Sequence, residues 1–276
     1  MPSPSIIQMG QLIGSIISQL ASGVPFWKIS VPTAFCTDYS LVEGGRRLSF
    51  GNKTALETLG QINSEQDPIK RLSLAFSSVI CPIELPKDKP LNPIVGEFTK
   101  CSAIIDDERH TMFIEQVSHH PPMSVFIQTG ANFRIFTPKP VCTGGSIKLN
   151  ISSLELLFEE AYVRFESESG TVMEWQLPFF RIENLLTKRI TMMHGPIRFI
   201  DRSSGYELIG TINRGQGFVG RIHDMEGTIV HELVGNVQGQ INFKGTDDVW
   251  MNGLSLVPFE VEYDEETLND PMVYSA

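Results

Sequence analysis

Arg109-His110-Thr111-Met112-Phe113-Ile114-Glu115-Gln116-Val117-Ser118-His119-His120-Pro121-Pro122 decides how this chain is read. Residues 109–117 carry a period of two, which predicts a strand. Its end is imposed. Proline fixes φ and lacks an amide proton, so Pro121 and Pro122 hold the strand end extended and set two imidazoles at a sheet rim. Neighbouring strand residues point to opposite faces, so one of His119 and His120 is expected inward and the other outward unless a bulge or turn re-aims them. A rim beside Pro-Pro is where such a distortion is expected. An ordinary strand has no need of paired histidines locked against paired prolines, so the octapeptide 115–122 reads as a site. The plainer reading is an exposed loop with two incidental histidines.

Working outward, the period of two holds from Gly96 onward. Residues 123–128, 132–136, 146–151, 154–158, 162–166 and 172–177 read as short strands parted by Gly, Ser, Asn or Pro turns. Further strands are expected at 197–200, 206–212, 218–222, 228–233 and 237–243. About a dozen antiparallel strands with few helices between them predict a mainly β fold, a large antiparallel meandering β-barrel, closed or nearly so. At 276 residues with no internal repeat or linker, one domain is expected, and a barrel of this size can enclose a ligand cavity as well as bury a core.

Before the barrel, Ile6, Ile7, Met9, Leu12, Ile13, Ile16, Ile17 and Leu20 fall near helical spacing behind Ser5 as N-cap, and Gly23 and Pro25 stop them. So wide an apolar face has to dock on something apolar. A second helix is predicted over 68–80, where Ile69, Leu72, Leu74, Ala75, Val79 and Ile80 form a buried stripe; this is scaffold. Between Trp27 and Pro93 the remaining pattern is mixed.

A formal charge of −10, with no Lys/Arg run, argues against a nucleic-acid partner and makes any contact with an anionic membrane local. The four cysteines, Cys36, Cys81, Cys101 and Cys142, lack CxxC spacing, so neither a metal site nor a redox pair is expected and buried free thiols are. The first residues lack the basic region of a secretory signal, which points to a reduced, cytoplasmic protein.

The string EQVSHHPP at 115–122 resembles the signature of the oxysterol-binding-protein-related family of lipid-transfer proteins. Lys89-Pro90-Leu91-Asn92-Pro93-Ile94-Val95-Gly96-Glu97 resembles that family's second segment, KPLNPxxGE. Leu177-Pro178-Phe179-Phe180-Arg181-Ile182-Glu183-Asn184-Leu185-Leu186 and Gly195-Pro196-Ile197 are similar to its middle strands. Gly220-Arg221-Ile222-His223-Asp224, with Gly227 and Gly235, resembles a late hairpin. The likeness runs from residue 6 to residue 254.

The resemblance implies a hydrophobic tunnel inside the barrel (96–256), a lid over 1–24 built on Ile6, Met9, Leu12, Ile13, Ile16, Ile17 and Leu20, a helical and extended segment over 25–95, and an acidic tail over 257–276. The lid helix is alternatively an amphipathic membrane contact or an ordinary helix on the core. The implied ligand is a sterol or similar hydrophobic lipid, exchanged for phosphatidylinositol 4-phosphate during transient, peripheral membrane contact, with no cofactor and no catalysis. Burial in such a tunnel is worth roughly 25 cal/mol per Å² of apolar surface, enough to compete with a bilayer. Lys89, Asn92, His119 and His120 match the family's headgroup contacts: a point charge, an amide donor and two imidazoles. Glu97 is implied to hold the Lys89 segment in place.

Typical members continue into a helical segment whose Lys, Glu and Arg complete that site. This chain reads as a short, C-terminally truncated member, with a tail disordered from Glu260 and a weaker hold on a phosphate that needs compensating charge. A second class of function stays open, a repurposed barrel enzyme using His119 or His120 with Glu115 as acid and base in a cyclisation or isomerisation of a terpenoid or polyketide. Against it, no nucleophile elbow, phosphate loop or metal-ligand set is visible. A lipid-responsive regulatory protein is a third reading.

Overall fold

The computed structural model describes residues 6–22, 36–83, 89–142, 146–150, 153–157, 161–184, 190–255 and 257–264. Helix α1 (Ile6–Ala21) stands where the apolar spacing puts it. Ser5, Gly23, Pro25 and the side chains of Ile6, Met9, Leu12, Ile13, Ile17 and Leu20 lie outside the described residues; Ile7 is exposed and Ile16 half-buried.

Strand β1 (Cys36–Ser40) pairs in parallel with β2 (Lys89–Leu91), and between them run α2 (Leu41–Ser49), α3 (Lys53–Gln61) and α4 (Pro68–Ile80). Each of the three helices begins on a side-chain cap. Ser40 accepts from Glu43 N, Asn52 from Ala55 N, and Asp67 from Ile69 N with Pro68 in the first turn. Helix α2 crosses Gly44 and Gly45, a pair that lowers helix propensity. Packing explains them: a Cβ on Gly45 would stand 2.7 Å from Ile114 Cδ1, so the helix backbone lies directly on the strand that carries Ile114.

The rest is β, and its ladders are antiparallel: β3 (Phe98–Ile105), β4 (Glu108–His119), β5 (Pro122–Thr129), β6 (Phe133–Phe136), β7 (Val141–Cys142), β8 (Ser146–Asn150), β9 (Ser153–Leu157), β10 (Tyr162–Ser167), β11 (Val172–Gln176), β12 (Phe179–Glu183), β13 (Ile190–Asp201), β14 (Glu207–Ile212), β15 (Gly217–His223), β16 (Ile229–Asn236), β17 (Gln240–Phe243), β18 (Val249–Asn252) and β19 (Glu262–Tyr263). They form one 17-stranded sheet. The registers reduce it to a meander of long strands, some interrupted. Strand β5 faces β7 at Met123–Ser124 and β6 at Ile127–Thr129. Strand β13 faces β12 over its first half and β11 over its last residues. Pro138 and Pro140 part β6 from β7, and Pro178 parts β11 from β12, because proline gives the ladder no amide.

Three expectations change. The strand expected at 197–200 is the end of the 12-residue β13, and Val237–Gly239, expected in a strand, forms the turn before β17, with Gly239 N donating to Asn236 O at 3.1 Å. The stretch from Glu260, expected as disordered tail, is structured as far as Asp264. Glu262 lies opposite Ser102 and Tyr263 opposite Cys101, so the chain returns to the first strand of the meander. Partners for its polar groups explain this: Asp264 meets Lys100 Nζ at 3.1 Å, and the Tyr263 hydroxyl donates to Glu43 Oε1 at 3.0 Å.

The core fills the space between the sheet's inner face and α2–α4. Phe76 of α4 meets the rings of Phe199, Phe218 and Trp250 at 5.5, 5.2 and 5.4 Å. Arg71, also on α4, reaches the fully buried Asp201 at the end of β13, with Nη2 to Oδ2 at 2.6 Å. Among the described residues no helix is long and apolar enough to cross a membrane.

Candidate functional site

Strand β4 buries His110, Met112, Ile114 and Gln116 and turns Thr111, Phe113 and Glu115 away, as a strand with one face on the core should. At its end the register against β5 slips by one: Gln116 faces Ser124, but Ser118 faces Met123 and His119 faces Pro122. Val117 is the extra residue of a β-bulge. The bulge and the following turn at Pro121 set the histidines side by side, their ring centroids 4.5 Å apart and planes at 48°. His120 is exposed and His119 half-buried. His119 Nδ1 is shut from solvent with no partner among the described residues.

The bulge is held by a polar side chain on the buried face next to it. Gln116, with no exposed surface, donates from Nε2 to Ser118 O at 2.6 Å and accepts the Ser124 hydroxyl at 2.7 Å. Its backbone joins the site's two halves. Gly96 N donates to Gln116 O at 2.8 Å, and Gln116 N donates to Glu97 O at 2.9 Å. The turn between them closes on itself: Glu97, 3% exposed, accepts from Ile94 N through Oε2 at 3.1 Å, and Gly96 takes the φ of +85° that glycine adopts without a Cβ clash. The segment 92–97 is thereby fixed against the start of the histidine rim.

Asn92 is exposed beside the buried Pro93. Lys89 opens β2, opposite Cys36, and its side chain lies outside the described residues. Glu115 is separated from the histidine pair. It stands across from Phe98 and Val125, and four steps of roughly 3.3 Å rise along the strand part it from His119, beyond hydrogen-bond reach. Sequence reasoning assigned no task to Gln116 or Ser124, although a glutamine on the inward row of Met112 and Ile114 was a signal that a buried network exists. Farther down the same face, His110 Nδ1 and Gln128 Nε2 are buried without partners among the described residues. Among those residues no group of three potential metal ligands assembles.

The family described as oxysterol-binding protein matches residues 15–264. Over 243 residues, 83% of this chain, the sequence is 27% identical to oxysterol-binding protein-related protein 1 of Homo sapiens. Over 116 residues, 40% of this chain, it is 34% identical to oxysterol-binding protein homolog 6 of Saccharomyces cerevisiae. The chain spans about a quarter of those relatives' length, 24% and 25%. Among solved structures, it is similar to the Osh3 ORD of Saccharomyces cerevisiae in complex with PI(4)P, with a TM-score of 0.65 and 19% identity over 94% of this chain and 68% of that one. It is also similar to the Osh1 ORD domain in complex with cholesterol, with a TM-score of 0.64 and 20% identity over 90% of this chain and 58% of that one.

Proposed function

Since the chain belongs to the oxysterol-binding protein family, we propose that it is a non-catalytic carrier that takes a sterol or similar lipid from a membrane and exchanges it for phosphatidylinositol 4-phosphate. The observation that carries this reading is the junction at Gln116. One residue bonds the backbone of the 92–97 turn and, through its side chain, pins the bulge that sets His119 beside His120. A site for one polar headgroup needs donors held from two directions, and this junction supplies the scaffold. Lys89, Asn92, His119 and His120 would bind the phosphoinositol group, and Glu97 would keep the turn in shape. The solved relatives in complex with PI(4)P and with cholesterol support both ligand classes. The protein would work in the cytoplasm with transient membrane contact.

The test is lipid extraction from vesicles by the protein carrying His119→Ala and His120→Ala. Phosphatidylinositol 4-phosphate uptake should fall about tenfold or more while sterol uptake persists. Equal loss of both lipids would make the pair structural, and unimpaired phosphoinositide uptake would remove it from the headgroup site.

A further inference from the structure

Three aliphatic side chains stand proud of the surface beside the histidine rim: Ile94, Val95 and Val117, 52%, 58% and 38% exposed. They are not the contents of a slack loop. The Gly96–Gln116 and Gln116–Glu97 backbone bonds fasten the turn that carries Ile94 and Val95 to the residue before Val117. Val117 is the extra residue that the bulge leaves without a partner on β5. Isolated exposed apolar residues are commonplace, but three that are rigidly clustered by two independent backbone devices call for an occupant.

The charge around them narrows what that occupant is. The molecule carries −10 overall, yet in the segments 92–97 and 116–122 the one carboxylate, Glu97, is 3% exposed and engaged by Ile94 N, and the next along β4, Glu115, is half-buried. The groups that reach solvent there are aliphatic, amide, hydroxyl and imidazole. That is the composition of a surface that sits among lipid headgroups with its apolar tips in the acyl boundary, and it is continuous with the rim through which, on the carrier reading, lipid passes. Resting on that reading, we propose that Ile94, Val95 and Val117 form a wedge that enters a lipid bilayer and brings the histidine rim to headgroup level, independently of helix α1.

The probe is flotation with vesicles of pure phosphatidylcholine, which removes anionic attraction from the question. Wild-type protein should float, and the double variant Ile94→Asp/Val117→Asp should lose about tenfold in partition, while Ile94→Leu/Val117→Ile keeps it. The substituted positions are exposed, so the fold should survive; an unchanged melting transition checks this. In a second variant, the fluorescence of Val95→Trp should be quenched by brominated phosphatidylcholine beyond the wild-type background. Sterol delivered on cyclodextrin, with no membrane present, should load into the double variant as into wild type. Flotation of the aspartate variant like wild type overturns the wedge, as does absence of wild-type flotation or an unquenched Val95→Trp on bound protein. Loss of self-association in the aspartate variant with vesicle binding intact would give the patch to a second copy. Failure of wild-type protein to load sterol from cyclodextrin would instead sink the carrier reading and leave the wedge standing.

Discussion

His110 shows how one buried group ties this fold to pH. Its residue is 4% exposed on the inner face of β4, against the Phe133 ring at 6.0 Å. Burial pushes the imidazole below its ordinary pKa, and the carboxylates of Glu108 and Asp106 pull the other way without cancelling it. The sign of the effect follows. Below the unfolded value of about 6.5, the unfolded chain binds a proton that the folded chain still refuses, so stability falls as pH drops from there and is flat above. One group supports a slope of at most about 1.4 kcal/mol per pH unit. The carboxylates whose pKa is lowered, Glu43, Asp106, Glu166 and Glu232, act only below their own unfolded values, so the span just under 6.5 belongs to histidine. Urea unfolding between pH 5 and 8 should show this fall in wild type and a shallower one in His110→Gln. Identical slopes would mean the imidazole charges freely in the folded state.

Helix α2 and strand β19 are held by a shared carboxylate. Glu43 Oε1 lies 2.5 Å from Arg46 Nη2, 3.0 Å from Arg47 Nε and 3.0 Å from the Tyr263 hydroxyl. Burial pulls the Glu43 carboxyl up, but the hydrogen bonds and charges of the two arginines and the tyrosine outweigh it and leave it below the usual carboxylate range. Chiefly burial drives the Tyr263 hydroxyl up to about 12, so it remains a donor at any working pH. Tyr263→Phe should cost about 1 kcal/mol and Glu43→Gln about 2–3, since the latter strands a half-buried guanidinium. Equal and small losses in denaturant titration would show that the clasp contributes little. The same elements mark the limits of what the sequence displays. Helix α4 is readable to its ends because Asp67-Pro68 caps an uninterrupted stripe, whereas α2 hides behind Gly44, which faces Tyr39 and Pro90, and Gly45, which lies against the distant Ile114. The first half of β13 hides behind Met192, Met193, His194, Gly195 and Pro196, which break the period of two, and β19 behind an acidic composition whose partners Lys100 and Arg109 lie far back in the chain. At the candidate site, Pro121 and Pro122 announce a rim and a distortion. That Gln116 fastens the two segments together depends on the bulge and on Ser124, and no spacing rule encodes it.

At the scale of the whole molecule, charge decides how the protein meets a membrane. Acidic residues exceed basic ones by 32 to 22, and much of the cationic complement is already taken on the outer face. Arg134, Glu166, Arg164, Glu174 and Arg202 form a chain of ion pairs from β6 to the end of β13, with contacts of 2.5, 2.7, 3.1 and 2.6 Å, and Glu232 binds both Arg221 and Lys244. Each exposed pair adds little stability, but together they leave few free cations among the described residues to recruit anionic lipid. A chain of this charge approaches an anionic bilayer against its own field, and on the wedge proposal it adheres through apolar contact. Salt should therefore help it. Raising ionic strength from about 0.01 to 0.15 M shortens the Debye length from about 30 to 8 Å, which screens the repulsion and leaves apolar insertion nearly untouched. Association with phosphatidylserine-containing vesicles should strengthen over that range, while association with phosphatidylcholine vesicles changes little. The reverse trend, weakening with salt as for a basic peripheral protein, would place the contact on a cationic surface and away from the rim where Ile94, Val95 and Val117 stand.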